Sequence, residues 1–209
     1  MEIIPGINEV DFEEARRKFE MARGFGAEWV EIDIGDGKFG TVATWRDPER
    51  LRELLPPPKV AAHLMLENPD EEAVEWMREP VKRLIWQVEA ARDSVGLARR
   101  CRERGIEPGL SIMAATPWEK AAGLAPEFNF WQVLAVTPGR AGQKFDERAL
   151  KVIRRLRQAA PDAIIEVDGG VNKEVAKKCK EAGADIVAAA SYIYNSKDAG
   201  EAIKELQAV

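Results

Sequence analysis

Two strand-end stretches, EIDIGDG at Glu31–Gly37 and EVDGGVN at Glu166–Asn172, carry the residues best suited to chemistry. Each ends an alternating apolar run with an acid and then glycines, the pattern expected where a parallel strand opens into a loop. Asp33 and Asp168 are the acids at those ends; Glu166 sits two residues before Asp168, on the same face of its strand, and the direction of Glu31, two residues before Asp33, is left open. Carboxylates that face one another across a pocket are what proton transfer to and from carbon requires. Asp168, followed by Gly169 and Gly170, has few inert readings as a strand-end acid. Glu166 lies deeper and reads as a core polar group. Glu31 reads as a general base or as a barrel acid paired with a lysine. His63, in HLM, is either a satisfied structural residue or a ligand.

The elements that must position these residues follow a βα rhythm. Short β-branched or apolar runs predict strands at Glu2–Pro5, Trp29–Asp33, Val60–Met65, Arg83–Val88, Pro108–Met113, Phe128–Val136, Ile164–Asp168 and Ile186–Ala190. Between and after them, apolar residues at helical spacing predict helices at Val10–Arg23, Asp47–Leu55, Asp70–Met77, Ala91–Arg104, Pro117–Leu124, Asp146–Ala159, Lys173–Ala182 and Ala199–Gln207. Start signals at Asn68-Pro69-Asp70, Thr116-Pro117 and Asn172, and glycines at Gly105 and Gly183 just past two helices, support the boundaries. Eight βα units in 209 residues point to a single-domain (β/α)8 TIM barrel spanning residues 1–209. A doubly wound open sheet is disfavoured because no strand leads into a GxGxxG turn. In a barrel, the loops after the strands build the active site at one face, so both acids would open into one pocket.

Composition narrows the partners. A formal charge of -5, with Lys and Arg scattered, provides no basic stripe for nucleic acid. No apolar run approaches the roughly 20 residues that span a bilayer, and no leader-like segment opens the chain. Cys101 and Cys179, each in a helical pattern, read as buried or idle thiols of a reducing compartment. The expectation is a cytoplasmic protein acting on a small molecule. Trp86 and Trp131 are expected to pack between sheet and helices. Trp45 and Trp118 follow strand ends and would either roof the pocket or sit as surface patches or helix staples.

Taken in order, IIPGIN at Ile3, WVEIDIGDGKF at Trp29, HLM at His63, VEA at Val88, ATP at Ala115, VTPGRAGQKF at Val136, VDGGVN at Val167 and AAASYIY at Ala188 resemble the ribulose-phosphate 3-epimerase family. The resemblance runs the length of the chain. It implies that Asp33 and Asp168 act as acid and base on opposite faces of a pentulose 5-phosphate, with a divalent metal near the barrel axis. It makes His63 a metal-ligating histidine. It also makes Gly169, Gly170, the Pro138–Gln143 loop with Gly139, Ala141 and Gly142, and Ala190 and Ser191 the cradle for the substrate phosphate. Glycine amides approach an anion closely, and a metal holds the charge of an enediolate. The resemblance also allows a homo-oligomer.

The chain departs from the family pattern at the same mouth. Glu31 replaces a second metal-binding histidine, so the implied ligand set is Glu31, Asp33, His63 and Asp168, open to Mn, Mg, Fe or Zn. Gln87 stands for a histidine, Met113 for an asparagine, Gly6 for a serine and Ala190 for a glycine. With Met65 and Leu134, the residues Gly6, Gln87 and Met113 are expected to line the pocket. These changes leave two other readings beside epimerisation. One is a diverged or engineered barrel whose buried carboxylate, Glu31 or Asp168, deprotonates an apolar, non-sugar carbon acid without metal, as in Kemp-type ring opening. The other is an inactive barrel that binds a phosphorylated ligand or serves as a scaffold.

Overall fold

A computed structural model describes residues 1–56 and 58–209. Eight parallel strands close into a barrel in chain order: β1 (Glu2–Ile7), β2 (Trp29–Gly35), β3 (Lys59–Met65), β4 (Val81–Gln87), β5 (Glu107–Met113), β6 (Phe130–Leu134), β7 (Ile164–Asp168) and β8 (Ile186–Ala189). Around it lie α1 (Phe12–Gly24), α2 (Pro69–Trp76), α3 (Ser94–Arg102), α4 (Glu119–Ala122), α5 (Ala149–Ala159), α6 (Lys173–Ala182), α7 (Ser191–Tyr194) and α8 (Ala199–Gln207). The architecture is the expected (β/α)8 barrel.

Local chemistry accounts for the helix ends. Asp11, Asp93, Asn172 and Asp198 each accept a backbone N–H of the following turn, which satisfies groups a helix start leaves unpaired. Gly183 ends α6 in the left-handed region, at φ 111°. The helices are amphipathic: α5 buries Val152, Ile153 and Leu156, and α6 buries Val175, Ala176 and Cys179. Each fully buried branched aliphatic stabilises the fold by about 1.5–3 kcal/mol. Cys101 and Cys179 are buried free thiols, both pushed up to about 12 by burial, which leaves them unreactive.

Several expected elements take another form. The Asp47–Leu55 segment is a 3-10 turn, Pro48–Glu53, because three prolines follow Leu55 and leave no room for further helical hydrogen bonds. The Pro117–Leu124 helix shrinks to α4, interrupted by Gly123 and a second 3-10 turn at Ala125–Glu127. β6 is shorter than expected, since Phe128 and Val136 belong to the flanking loops. Ala190 leaves the strand direction and precedes α7, a single turn that the apolar run concealed.

Strand alternation sorts the interior into layers. Ile4, Ala61, Ile85, Phe130 and Ile186 form an apolar cluster near the N-terminal ends of the strands. Above it, Glu31, His63, Gln87, Ser111, Gln132 and Glu166 are all buried polar side chains. The opposite strand faces meet the helices, where Trp86 and Trp131 are wholly buried as expected, their ring N–H groups donating to Ser94 Oγ and the Ala125 carbonyl. Among the described residues, no helix is long and apolar enough to cross a membrane.

Candidate active site

The polar layer leads into a cleft at the C-terminal ends of the strands. Asp33 and Asp168 reach it from β2 and β7. Gly139, Arg140, Ala141, Gly142, Gly169, Gly170, Ala190 and Ser191 form its rim, and Met65, Leu134, Val136 and Val171 its apolar wall. Parallel register sets the spacing: Asp33 lies beside His63 and Leu134 beside Asp168.

Asp33 is held from three sides. Asn8 Nδ2 donates to its Oδ2 at 2.7 Å and to the Gly139 carbonyl at 3.0 Å, which ties the base of the 138–143 loop to the acid. His63 Nδ1 lies 3.0 Å from its Oδ1. The Thr44 hydroxyl donates to the Asp33 carbonyl and accepts from Gly35 N–H, fixing the end of β2. The other nitrogen of His63, Nε2, is 2.7 Å from Gln87 Nε2, and Gln87 in turn donates to Ser111 Oγ at 3.0 Å.

Glu31 and Glu166 sit beneath the cleft floor, 1% and 0% exposed. One amide group, Gln132 Nε2, donates to both oxygens of Glu31, at 3.0 and 2.9 Å, and to Glu166 Oε1 at 3.0 Å. No lysine pairs with Glu31 among the described residues, so the ion-paired reading gives way to an amide clamp: the interior polar layer contains no cationic side chain to reach it. Burial drives the Glu31 carboxyl well above its ordinary range, and Glu166, Asp168 and Asp33 push it further. Asp168 is likewise raised, by burial first and then by Asp33 and Glu166, while the Gly169 N–H opposes the shift.

Glu31, Asp33, His63 and Asp168 each offer one ligand atom, and these atoms lie within 4.8 Å of one another. Three carboxylate oxygens and one imidazole nitrogen suit a hard or borderline divalent ion. The electrostatics agree: the carboxylates are held close without a cation, so a divalent charge would relieve their repulsion.

The 169–170 turn depends on glycine. Both residues have positive φ, 100° and 68°, and a Cβ on Gly170 would lie 2.4 Å from Phe145 N. Their backbone lines the cleft uncovered by side chains. Gln143 Nε2 donates to the Thr137 and Arg140 carbonyls and braces the opposite rim.

Three expected lining residues lie elsewhere. Gln87 is wholly buried behind His63, because the strand closes over it; Gly6 packs against Ala190 below the rim; and Met113 stands outside the cleft wall. Among the described residues, no aromatic side chain lines the cleft. Trp45 packs against Phe12 and Trp76 in the core, and Trp118 lines a separate surface cleft with Arg148 and Arg155. The 36–44 loop turns back on β2 through the Asp36–Ala43 bridge, which carries Trp45 outward. Asn8, Ser111, Gln132 and the Arg140 side chain were missed as site residues. Asn8 ends an apolar strand run in the same ring of strand ends as Asp33, which was a usable signal. Ser111 and Gln132 sit inside apolar strands and carried only the weaker signal of an isolated polar residue on an inward face.

The chain matches the profile of the ribulose-phosphate 3-epimerase family over residues 2–194. It is 32% identical to the ribulose-phosphate 3-epimerase of Mycobacterium tuberculosis, over 98% of this chain and 91% of that one. With the Bacillus subtilis ribulose-phosphate 3-epimerase it shares 29% identity, over 99% and 98% of the two chains. Among solved structures, it superposes on a 3-hexulose-6-phosphate synthase with a TM-score of 0.68 at 19% identity, covering 100% of this chain and 99% of that one. A mutant tryptophan synthase α-subunit from Pyrococcus furiosus gives 0.72 at 16%, covering 100% and 98%. At such identities the two structures attest the fold alone.

Proposed function

The chain belongs to the ribulose-phosphate 3-epimerase family, and on that premise we propose that it interconverts the C3 epimers of a pentulose 5-phosphate. The observation that carries the reading is the meeting of Asp33 and Asp168, from strands on either side of β1 and β8, at the floor of one cleft whose rim is bare glycine backbone. Asp33 accepts a hydrogen bond from Asn8, lies 3.0 Å from His63 Nδ1, and is oriented to take a proton from C3. Asp168, whose proton affinity burial raises, returns a proton to the opposite face of the same carbon. In the reverse direction the two exchange roles.

A divalent ion held by Glu31, Asp33, His63 and Asp168 would supply positive charge opposite the substrate oxygens where negative charge builds. Asn8 keeps Asp33 aimed while the 138–143 loop closes around the phosphate end. The phosphate meets the Gly169, Gly170, Ala190 and Ser191 backbone on one side and Arg140 on the other. Arg140 is the one cation lining the cleft among the described residues, and it forms no ion pair with a protein carboxylate there. A guanidinium facing glycine amides selects a phosphate dianion over a neutral sugar.

The test is incubation of the protein with D-ribulose 5-phosphate in D2O, with Mg2+, Mn2+, Fe2+ or Zn2+ and with chelator, followed by proton NMR. Deuterium should enter at C3 alone and the xylulose epimer should accumulate, faster than with unphosphorylated ribulose. Absence of both exchange and epimer with every metal would end the reading.

A further inference from the structure

We propose that Gln87, seated on Ser111, is the positioning residue that decides which nitrogen of His63 carries hydrogen, and that a cation entering the carboxylate cluster turns the Gln87 carboxamide over. The inference rests on the reading that Glu31, Asp33, His63 and Asp168 hold a divalent ion.

The argument is one of donors and acceptors. A carboxamide nitrogen only donates, and Gln87 Nε2 lies 2.7 Å from His63 Nε2 and 3.0 Å from Ser111 Oγ. His63 Nε2 must then accept, so the ring hydrogen is on Nδ1, where Asp33 Oδ1 accepts it at 3.0 Å. This chain has one defect. Gln87 Oε1 is buried with no partner among the described residues, which leaves its desolvation unrepaid.

A half-turn of the carboxamide puts Oε1 where Nε2 was. His63 Nε2–H and the Ser111 hydroxyl can then both donate to it, and the hydrogen leaves Nδ1. The ring gives up one hydrogen at Nδ1 and gains one at Nε2, so its charge is unchanged. Only this second arrangement turns a bare Nδ1 lone pair toward Asp33 and the cluster. Nδ1 and Asp33 Oδ1 are already 3.0 Å apart, the separation of about 3 Å expected for neighbouring ligands on an ion bonded at 2.0–2.1 Å.

Each arrangement leaves one end of the Gln87 carboxamide unpartnered, the oxygen in the first and the nitrogen in the second. The two therefore lie close in energy. Without a cation, Asp33 favours hydrogen on Nδ1. With one, the same hydrogen would be repelled. Gln87 is thus the bistable element, and His63 is where its state is read.

The chain contains a single histidine, so 15N-histidine labelling reports on His63 alone. At fixed pH, long-range proton–nitrogen correlation should place the hydrogen on Nδ1 in chelator-treated protein and on Nε2 after addition of Zn2+ or Mg2+. Gln87→Glu, whose carboxylate only accepts, should keep it on Nε2 in both states and bind Zn2+ in calorimetry at least as tightly as wild type. Gln87→Met should lose the fixed preference and weaken Zn2+ binding about 10- to 100-fold. A merely structural role would shift melting temperature while leaving the ring hydrogen in place. Hydrogen on Nε2 in metal-free wild type overturns the proposal, and that measurement needs no variant to fold. Unchanged ring state and Zn2+ affinity in Gln87→Met would overturn it as well. If wild type bound none of Zn2+, Mg2+ or Mn2+, the metal reading and the loading role would fail together, while the metal-free spectra of wild type and Gln87→Met would still judge Gln87's hold on the ring.

Discussion

At the N-terminal end of the barrel, a buried cation has a carboxylate and two aromatic faces around it; toward the other end, buried carboxylates have an amide and no cation. Arg83, 4% exposed, donates from Nε to Glu107 at 2.8 Å, and its guanidinium carbon lies 3.8 Å from the Phe130 ring centroid and 4.4 Å from that of Trp29. Glu31 and Glu166 share Gln132 Nε2, and Asp168 faces Asp33. Both regions draw on β2 and β6. The lower one has its charge in a closed contact, whereas the upper one crowds acids together, which raises the proton affinity of Glu31 and Asp168. Such an arrangement destabilises the fold unless a proton, a cation or a substrate completes it.

Variants can break or sharpen that contrast. The largest effect is expected from Asp168→Asn, which removes a proton donor and acceptor from the cleft. Turnover should fall by about 10³-fold, within the range of general acid–base contributions, while the melting temperature of metal-free protein holds or rises because one like charge is gone. Steady-state kinetics beside calorimetry would check it, and undiminished turnover would remove Asp168 from the reaction.

At the lower end, Arg83→Met should do the reverse. Stability is expected to drop by about 2 kcal/mol in urea unfolding, a value below that of a fully buried pair because the Glu107 side chain is 36% exposed. Turnover should stay within about twofold. A large loss of turnover with unchanged stability would mean that the two regions are not separate in function.

Arg140→Met tests the cation of the cleft mouth. The expected result is a KM for the phosphorylated substrate raised about 10-fold with kcat nearly unchanged, the size of one exposed charge-assisted hydrogen bond. Inorganic phosphate should lose potency as a competitor by a similar factor. An equal fall in kcat would instead implicate the loop in chemistry.

The smallest effect is a pH slope. Glu31 and Asp168 hold protons more tightly when folded than at their unfolded values of 4.5 and 3.8. Their contribution to stability is therefore fully present below those values and is lost as pH rises through the higher folded ones. Metal-free protein should melt at lower temperature as pH climbs above 4.5, by about 2–4 °C for each kcal/mol. Glu31→Gln, or saturating Mg2+, should flatten the slope. A melting temperature that rises across that interval would contradict the unneutralised cluster.

Much of this was legible before any coordinates. Alternation put Glu166 with Asp168 on one strand face, and glycines after Asp168 marked a strand opening into a loop, while the inward direction of Glu31 was settled only by its contact with Gln132. Period two is a local property, so the sequence could declare it. The helix between β2 and β3 was misread because the prolines after Leu55 outweighed the apolar spacing before them. Trp45 was misplaced because its direction depends on how the 36–44 loop folds back, which no local pattern encodes.

By itself, then, the order of residues determined eight βα units, inward-facing acids on β2 and β7 and a glycine-lined rim. Tertiary structure alone decided which partners those acids meet. Gln132 reaches Glu31 across 101 positions and Asn8 reaches the Gly139 carbonyl across 131. Such contacts follow from the register of a closed sheet, which is set by all eight strands packing at once.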